Sequence, residues 1–124
     1  MIDVDKQIAY WRNSSLEDWE VAQELITLER TRHGLFFAHL SVEKMLKAHI
    51  CQQSKELPPK IHNLLVLGEK ANLPLSNRQK IFLGRFDQYQ IEGRYATTLL
   101  TALVKARQEM AEAAEFLQWL IKQF

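Results

Sequence analysis

The chain has 124 residues, a formal net charge of +1, 47% apolar and 25% charged residues, and one cysteine. These values describe one globular domain with a single core, and they exclude a disordered segment or an internally disulfide-bonded scaffold. Apolar runs of only a few residues exclude a membrane span. The opening MIDVDKQ lacks the basic start and apolar stretch of a secretory signal, so a cytoplasmic location is expected.

The first helix is expected from about Asp5 to Glu29, with Ile8, Trp11, Ser15, Ala22 and Ile26 on its inner side. Ser14-Ser15-Leu16-Glu17 has the form of a capping box, so a break or a later start there is the alternative. A second helix occupies roughly Gly34–Gln53. Its stretch FFAHLSVEKMLKAH, Phe36–His49, sets His39, Glu43 and Lys47 four residues apart and therefore along one side. The rest of this helix is apolar around most of its circumference. Leu35, Phe36, Phe37, Ala38, Leu40, Val42, Met45, Leu46, Ala48 and Ile50 cannot all face one core, so a second copy of the chain is expected to cover the surplus.

Pro58-Pro59 stops the second helix and imposes an extended connection. Asn63 can cap a short helix, Leu64–Ala71, with Leu64, Leu67 and Ala71 inward. After Leu73-Pro74-Leu75, the run Ser76-Asn77-Arg78-Gln79 reads as a capping box that opens a helix carrying Phe82, Phe86 and Tyr89. Gly84 inside it costs about 1 kcal/mol relative to alanine. This helix ends near Gly93, and Arg94-Tyr95 stands at the junction with the last one. There Leu99, Leu103, Ala106, Met110, Ala113, Leu117, Leu120 and Phe124 alternate spacings of four and three, the seam of a bundle helix. Nothing alternates with period two over a useful length. The fold class is all-α: an up-and-down four-helix bundle with a short additional helix, over residues 1–124 as one domain.

Charge is unevenly placed. Residues 1–31 hold seven acids against three bases, residues 32–94 ten Lys/Arg against five Asp/Glu, and the remainder three of each. A basic middle suits an anionic partner such as a phosphate or an RNA backbone, and equally describes solvated helix faces. No HExxH, CxxC or glycine-rich phosphate loop is present, and no cofactor is implied. His39 and Glu43 could share a metal at i, i+4, but no third ligand is evident, so no metal is assigned. A Glu43–Lys47 ion pair with His39 as polar neighbour is the favoured reading. Cys51 reads as a packed thiol, His62 as a loop anchor bonded to backbone, and Trp11, Trp19 and Trp119 as packing residues.

The order of Tyr10-Trp11, Asp18-Trp19-x-x-Ala22, Gly34-Leu35-Phe36-Phe37-Ala38-His39, Glu43-Lys44-x-x-Lys47-Ala48, Pro58-Pro59-Lys60-x-His62-Asn63-Leu64 and Arg94-Tyr95 resembles that of HEPN domains, "higher eukaryotes and prokaryotes nucleotide-binding". The resemblance spans nearly the whole chain. It implies a helical bundle that commonly dimerises, in a bacterial or archaeal cytoplasmic protein often made alongside a minimal nucleotidyltransferase. Many HEPN proteins are metal-independent ribonucleases, some of them toxins, using an arginine and a histidine four to six residues apart near the end of the penultimate helix. Arg94 stands at the matching place, but Ala96 through Leu103 contain no histidine, and Ala96 replaces the proline of the related Arg-Tyr-Pro pattern.

The resemblance therefore implies a nucleotide- or RNA-binding protein without robust nuclease activity. Arg94 would hold phosphate, Tyr95 would stack on a base, and His39, Glu43 and Lys47 would floor a groove between the second and fourth helices. One alternative is a ribonuclease toxin of a toxin–antitoxin pair that has recruited His39. Another is a purely structural dimeric module whose nucleotidyltransferase partner silences it or modifies a tyrosine such as Tyr95.

Overall fold

In a computed structural model, residues 2–90 and 103–124 are described, and all their regular elements are helices. These are α1 Val4–Thr27, α2 Thr31–Ser54, α3 Leu64–Lys70, α4 Asn77–Phe86 and, here numbered in order, α5 Leu103–Lys122. The expected all-α bundle forms, with four longer helices and one short one among the described residues.

Local chemistry sets most boundaries. The Asp3 carboxylate accepts from the Lys6 N–H and starts α1. At its other end, Arg30 N–H donates to Leu25 O and Glu29 N–H to Ile26 O, a Schellman closure in which Glu29 takes the left-handed conformation with φ 62°. Asn63 caps α3 through the Val66 N–H, and Ser76 and Gln79 cap α4 reciprocally at 3.1 and 2.9 Å, as their spacing predicts.

The anticipated alternative, a break at Ser14–Glu17, does not occur, and α1 runs straight through. Its hydroxyls are used across the helix pair instead. Ser15 Oγ donates to Ser41 O at 2.6 Å, Ser41 Oγ donates to Ser15 O at 2.8 Å, and Lys44 Nζ donates to Ser14 Oγ. Hydroxyls returning each other's bond to backbone require close helices. Gly34 marks a second close approach, since a Cβ there would lie 2.6 Å from Ile26 Cδ1 and 3.3 Å from Ala22 O. Lys44 and Asp18 add an ion pair at 2.7 Å.

Cross-bundle contacts give the directions. Phe82 meets Phe116, and Arg85 reaches back to Glu109 and Glu112, so α4 and α5 run antiparallel. His49 bonds Leu120 O, so α2 and α5 finish at the same end. The α5 face is as read, with Ala106, Met110, Ala113, Leu117 and Leu120 buried; Leu99 lies outside the described residues. Arg85 is held protonated beyond its ordinary range, chiefly by its hydrogen bonds to the Glu109 and Glu112 carboxylates.

Helix α2 is the central rod, and this corrects the argument made for a second copy. Leu35, Ala38, Val42, Met45, Leu46, Ala48 and Ile50 are all at most 5% exposed within one chain, because other helices of the same bundle cover several sides of α2. Phe36, Phe37 and Leu40 are half-buried. Most of the apolar surplus is therefore covered within one chain.

At the far end of α2, His49 is buried, donates Nε2–H to Leu120 O at 2.7 Å and stacks on Phe124, whose ring also carries the Arg12 guanidinium. Burial pulls this imidazole below its ordinary pKa. The Leu120 bond partly offsets that, and the Arg12 charge adds to the depression.

Two glycines should respond oppositely to a side chain. Gly84 is exposed with nothing within 4 Å of an added Cβ, so Gly84→Ala should stabilise by about 0.5–1 kcal/mol. Gly34→Val drives atoms into Ile26 and the Ala22 carbonyl and should cost about 2 kcal/mol or more. Urea unfolding measures both. For His49, a lowered native pKa means that the unfolded chain takes up the proton first. Its contribution is complete above the ordinary value of about 6.5 and is lost as pH falls through that value toward the native one. Between about pH 7.5 and 5.5 the wild type should lose stability more steeply than His49→Gln, which keeps an N–H donor without the charge change. Superimposable pH profiles would show that His49 contributes nothing.

Candidate functional site

The row His39–Glu43–Lys47 forms as its spacing requires, on one side of α2. His39 Nδ1 lies 3.9 Å from Glu43 Oε1, and Lys47 Nζ donates to Glu43 Oε2 at 3.1 Å. The row faces inward: His39 is fully buried, Glu43 is 3% exposed and Lys47 5%. It is therefore an enclosed polar seam within the bundle, and not the open floor of a groove.

Two residues from other elements complete it. Asp87 caps the C-terminus of α4, one helical turn beyond the fully buried Leu83, which carries its carboxylate to the same inner stripe. Its Oδ1 lies 2.8 Å from His39 Nε2 and also accepts from the Leu64 N–H at 3.3 Å. A carboxylate only accepts, so His39 Nε2 carries a hydrogen. Nδ1 of the same ring makes no hydrogen bond to a described residue. From the connection before α3, His62 Nδ1 lies 3.2 and 3.1 Å from the two Glu43 oxygens, so it too is the protonated nitrogen of its ring. The His62 side chain is 48% exposed against 4% for Glu43.

Glu43 is thus the hub. Its carboxylate takes the Lys47 ammonium and the His62 N–H, with the His39 ring edge close by, and the Trp11 ring covers Lys47 with its centroid 5.4 Å from Nζ. Buried charge is costly unless paired and hydrogen-bonded, and here each charged partner is supplied by a different turn or element. The set can hold protons in fixed positions, orient one imidazole toward solvent and exchange hydrogen bonds with an anion at its open end.

Measured against expectation, the Glu43–Lys47 pair and the adjacent His39 are in place. His62 is corrected: it bonds a buried carboxylate and not backbone, because the Pro58-Pro59 connection brings it over Glu43. Asp87 was missed, although an acid extending the apolar stripe from Leu83 was its signal. Arg94 and Tyr95 lie outside the described residues. Among the described residues, no three His, Cys, Asp or Glu side chains are grouped to hold a metal ion. Cys51 is fully buried, and desolvation pushes its thiol pKa up, which suits a packed residue more than a nucleophile. Trp19 and Trp119 pack against the core, and Trp11 is half-buried. No helix among the described residues is long and apolar enough to cross a membrane.

Surface hollows among the described residues lie elsewhere. One, of about 350 Å³, runs between the start of α4 and the end of α5, lined by Phe82, Phe116 and Trp119 under a mixed-charge rim. Another borders the last turns of α1 around Glu20, Glu24 and Leu28.

Compared with known families, the sequence model described as "HEPN domain" matches residues 8–123. No curated protein and no solved structure matches the chain.

The hub arrangement ranks two substitutions. Glu43→Gln strands a buried ammonium and should cost about 3 kcal/mol. Lys47→Met leaves Glu43 still paired with His62 and should cost less than about half as much. Chemical denaturation of the two variants gives the order, and the reverse order would contradict the central role of Glu43.

Proposed function

Because the chain belongs to the HEPN family, we propose that it is a nucleotide- or RNA-binding protein that does not cleave RNA efficiently. The observation that carries this reading is the family match over residues 8–123 together with a buried, multiply bonded polar row in an otherwise apolar helix. Such a row costs desolvation that a purely structural bundle would avoid with apolar residues of similar size. In this reading Arg94 supplies the charged fork for phosphate, Tyr95 a stacking face, and Glu43, Lys47 and His39 a preorganised polar seam.

Binding is favoured over cleavage by the state of His39. A general base must reach the proton it removes, and this ring is fully buried with Nε2–H committed to Asp87. The family's arginine–histidine pair is incomplete as well, since no histidine follows Arg94 at the required spacing. The protein acts in the cytoplasm as a homodimer beside a minimal nucleotidyltransferase, in keeping with the habits of the family; the apolar surplus of α2 no longer supports the dimer.

Isothermal titration of the purified protein with ADP and with single-stranded oligo(A) RNA tests the reading. Binding by the wild type should weaken about tenfold or more in Arg94→Ala. Equal heats for the two proteins would remove Arg94 from the site, and RNA cleavage that disappears in His39→Ala would replace binding with catalysis.

A further inference from the structure

We propose that His62 and Lys60 form the phosphate-contacting edge of this site, with the buried Glu43 carboxylate as the positioning group behind His62. The ligand chemistry is a phosphate group, of a free nucleotide or of an RNA backbone. The inference rests on the ligand class proposed above and assigns the residues that meet it.

His39, Glu43 and Lys47 are at most 5% exposed, and Asp87 is turned to His39 and the Leu64 N–H. Of the five side chains in the network, only His62 is substantially open to solvent. His62 is therefore the most accessible member of the network to a ligand that does not open the bundle.

His62 is also held as an anion-contacting group should be. Its Nδ1–H is bonded to both oxygens of a carboxylate that is itself locked by Lys47, which fixes both the ring and its tautomer. The other nitrogen, Nε2, makes no hydrogen bond to a described residue, and a hydrogen carried there can be donated to a phosphate oxygen.

The connection itself is preset. Pro58 and Pro59 restrict its backbone, Asn63 is anchored by capping Val66, and Ile61 packs against the core. With Ile61 turned inward, its neighbours Lys60 and His62 are both exposed, and Lys60 makes no ion pair with a described residue. Two outward polar side chains flank one partly buried anchor.

The test uses the full chain, with ADP and single-stranded oligo(A) RNA as probes in parallel titrations. His62→Gln should weaken binding of at least one probe about fivefold or more. Lys60→Gln should lower the salt dependence of RNA binding by about one phosphate contact. An effect confined to ADP assigns the nucleotide, and one confined to RNA assigns the backbone. Both side chains are exposed, so unchanged urea midpoints are expected and confirm that the variants fold. In the wild type, ADP should shift the imidazole proton resonances of His62 and leave those of the exposed His33 in place. Wild-type affinity in the doubly substituted Lys60→Gln, His62→Gln protein, with Arg94→Ala still impaired, would overturn this inference alone. A wild type that binds neither probe would overturn the proposed function and this inference together.

Discussion

Glu43 places a carboxylate inside the bundle, and much of the site follows from the need to compensate it. A buried anion demands partners within hydrogen-bonding reach, and one helix can offer them only at its own i±4 positions. Lys47 and His39 occupy those positions. The remaining partner comes from a connection far along the chain, so the prolines before α3 matter as much to the site as the helix that carries the charge. Asp87 extends the same logic to α4, where one carboxylate oxygen joins His39 to the first turn of α3. Three elements are thereby tied to α2 by directional bonds as well as by apolar contact.

The enclosure of α2 is the second constraint. Its apolar circumference could be satisfied by another subunit or by wrapping the rest of the chain around it, and the fold takes the second course. Small residues make this feasible: Ser15 against Ser41, and Gly34 against Ile26 and Ala22, let α1 lie close. What remains outward on α2 is limited to partly covered aromatic and leucine positions.

Enclosure also bears on chemistry. An imidazole sealed against Asp87 organises structure, whereas an imidazole with one nitrogen on a buried carboxylate and the other beside solvent can meet a ligand. His39 and His62 take these two roles although both border Glu43. The difference lies in exposure and not in residue type, which is why a histidine chosen for its place in the helical row was the less accessible of the two.

The helices, their caps and the i, i+4 polar row were legible in the residues because each depends on neighbours within a few positions: Asn63 on Val66, Ser76 on Gln79, Glu43 on Lys47. The continuity of α1 through Ser14–Glu17 was not, since it turns on hydroxyl bonds to a helix some 26 residues away. Nor was the role of His62, the membership of Asp87 or the burial of α2 by its own chain. Periodicity specifies which face of a helix is apolar, but what covers that face, and which distant side chain reaches a buried charge, is decided only when the elements pack.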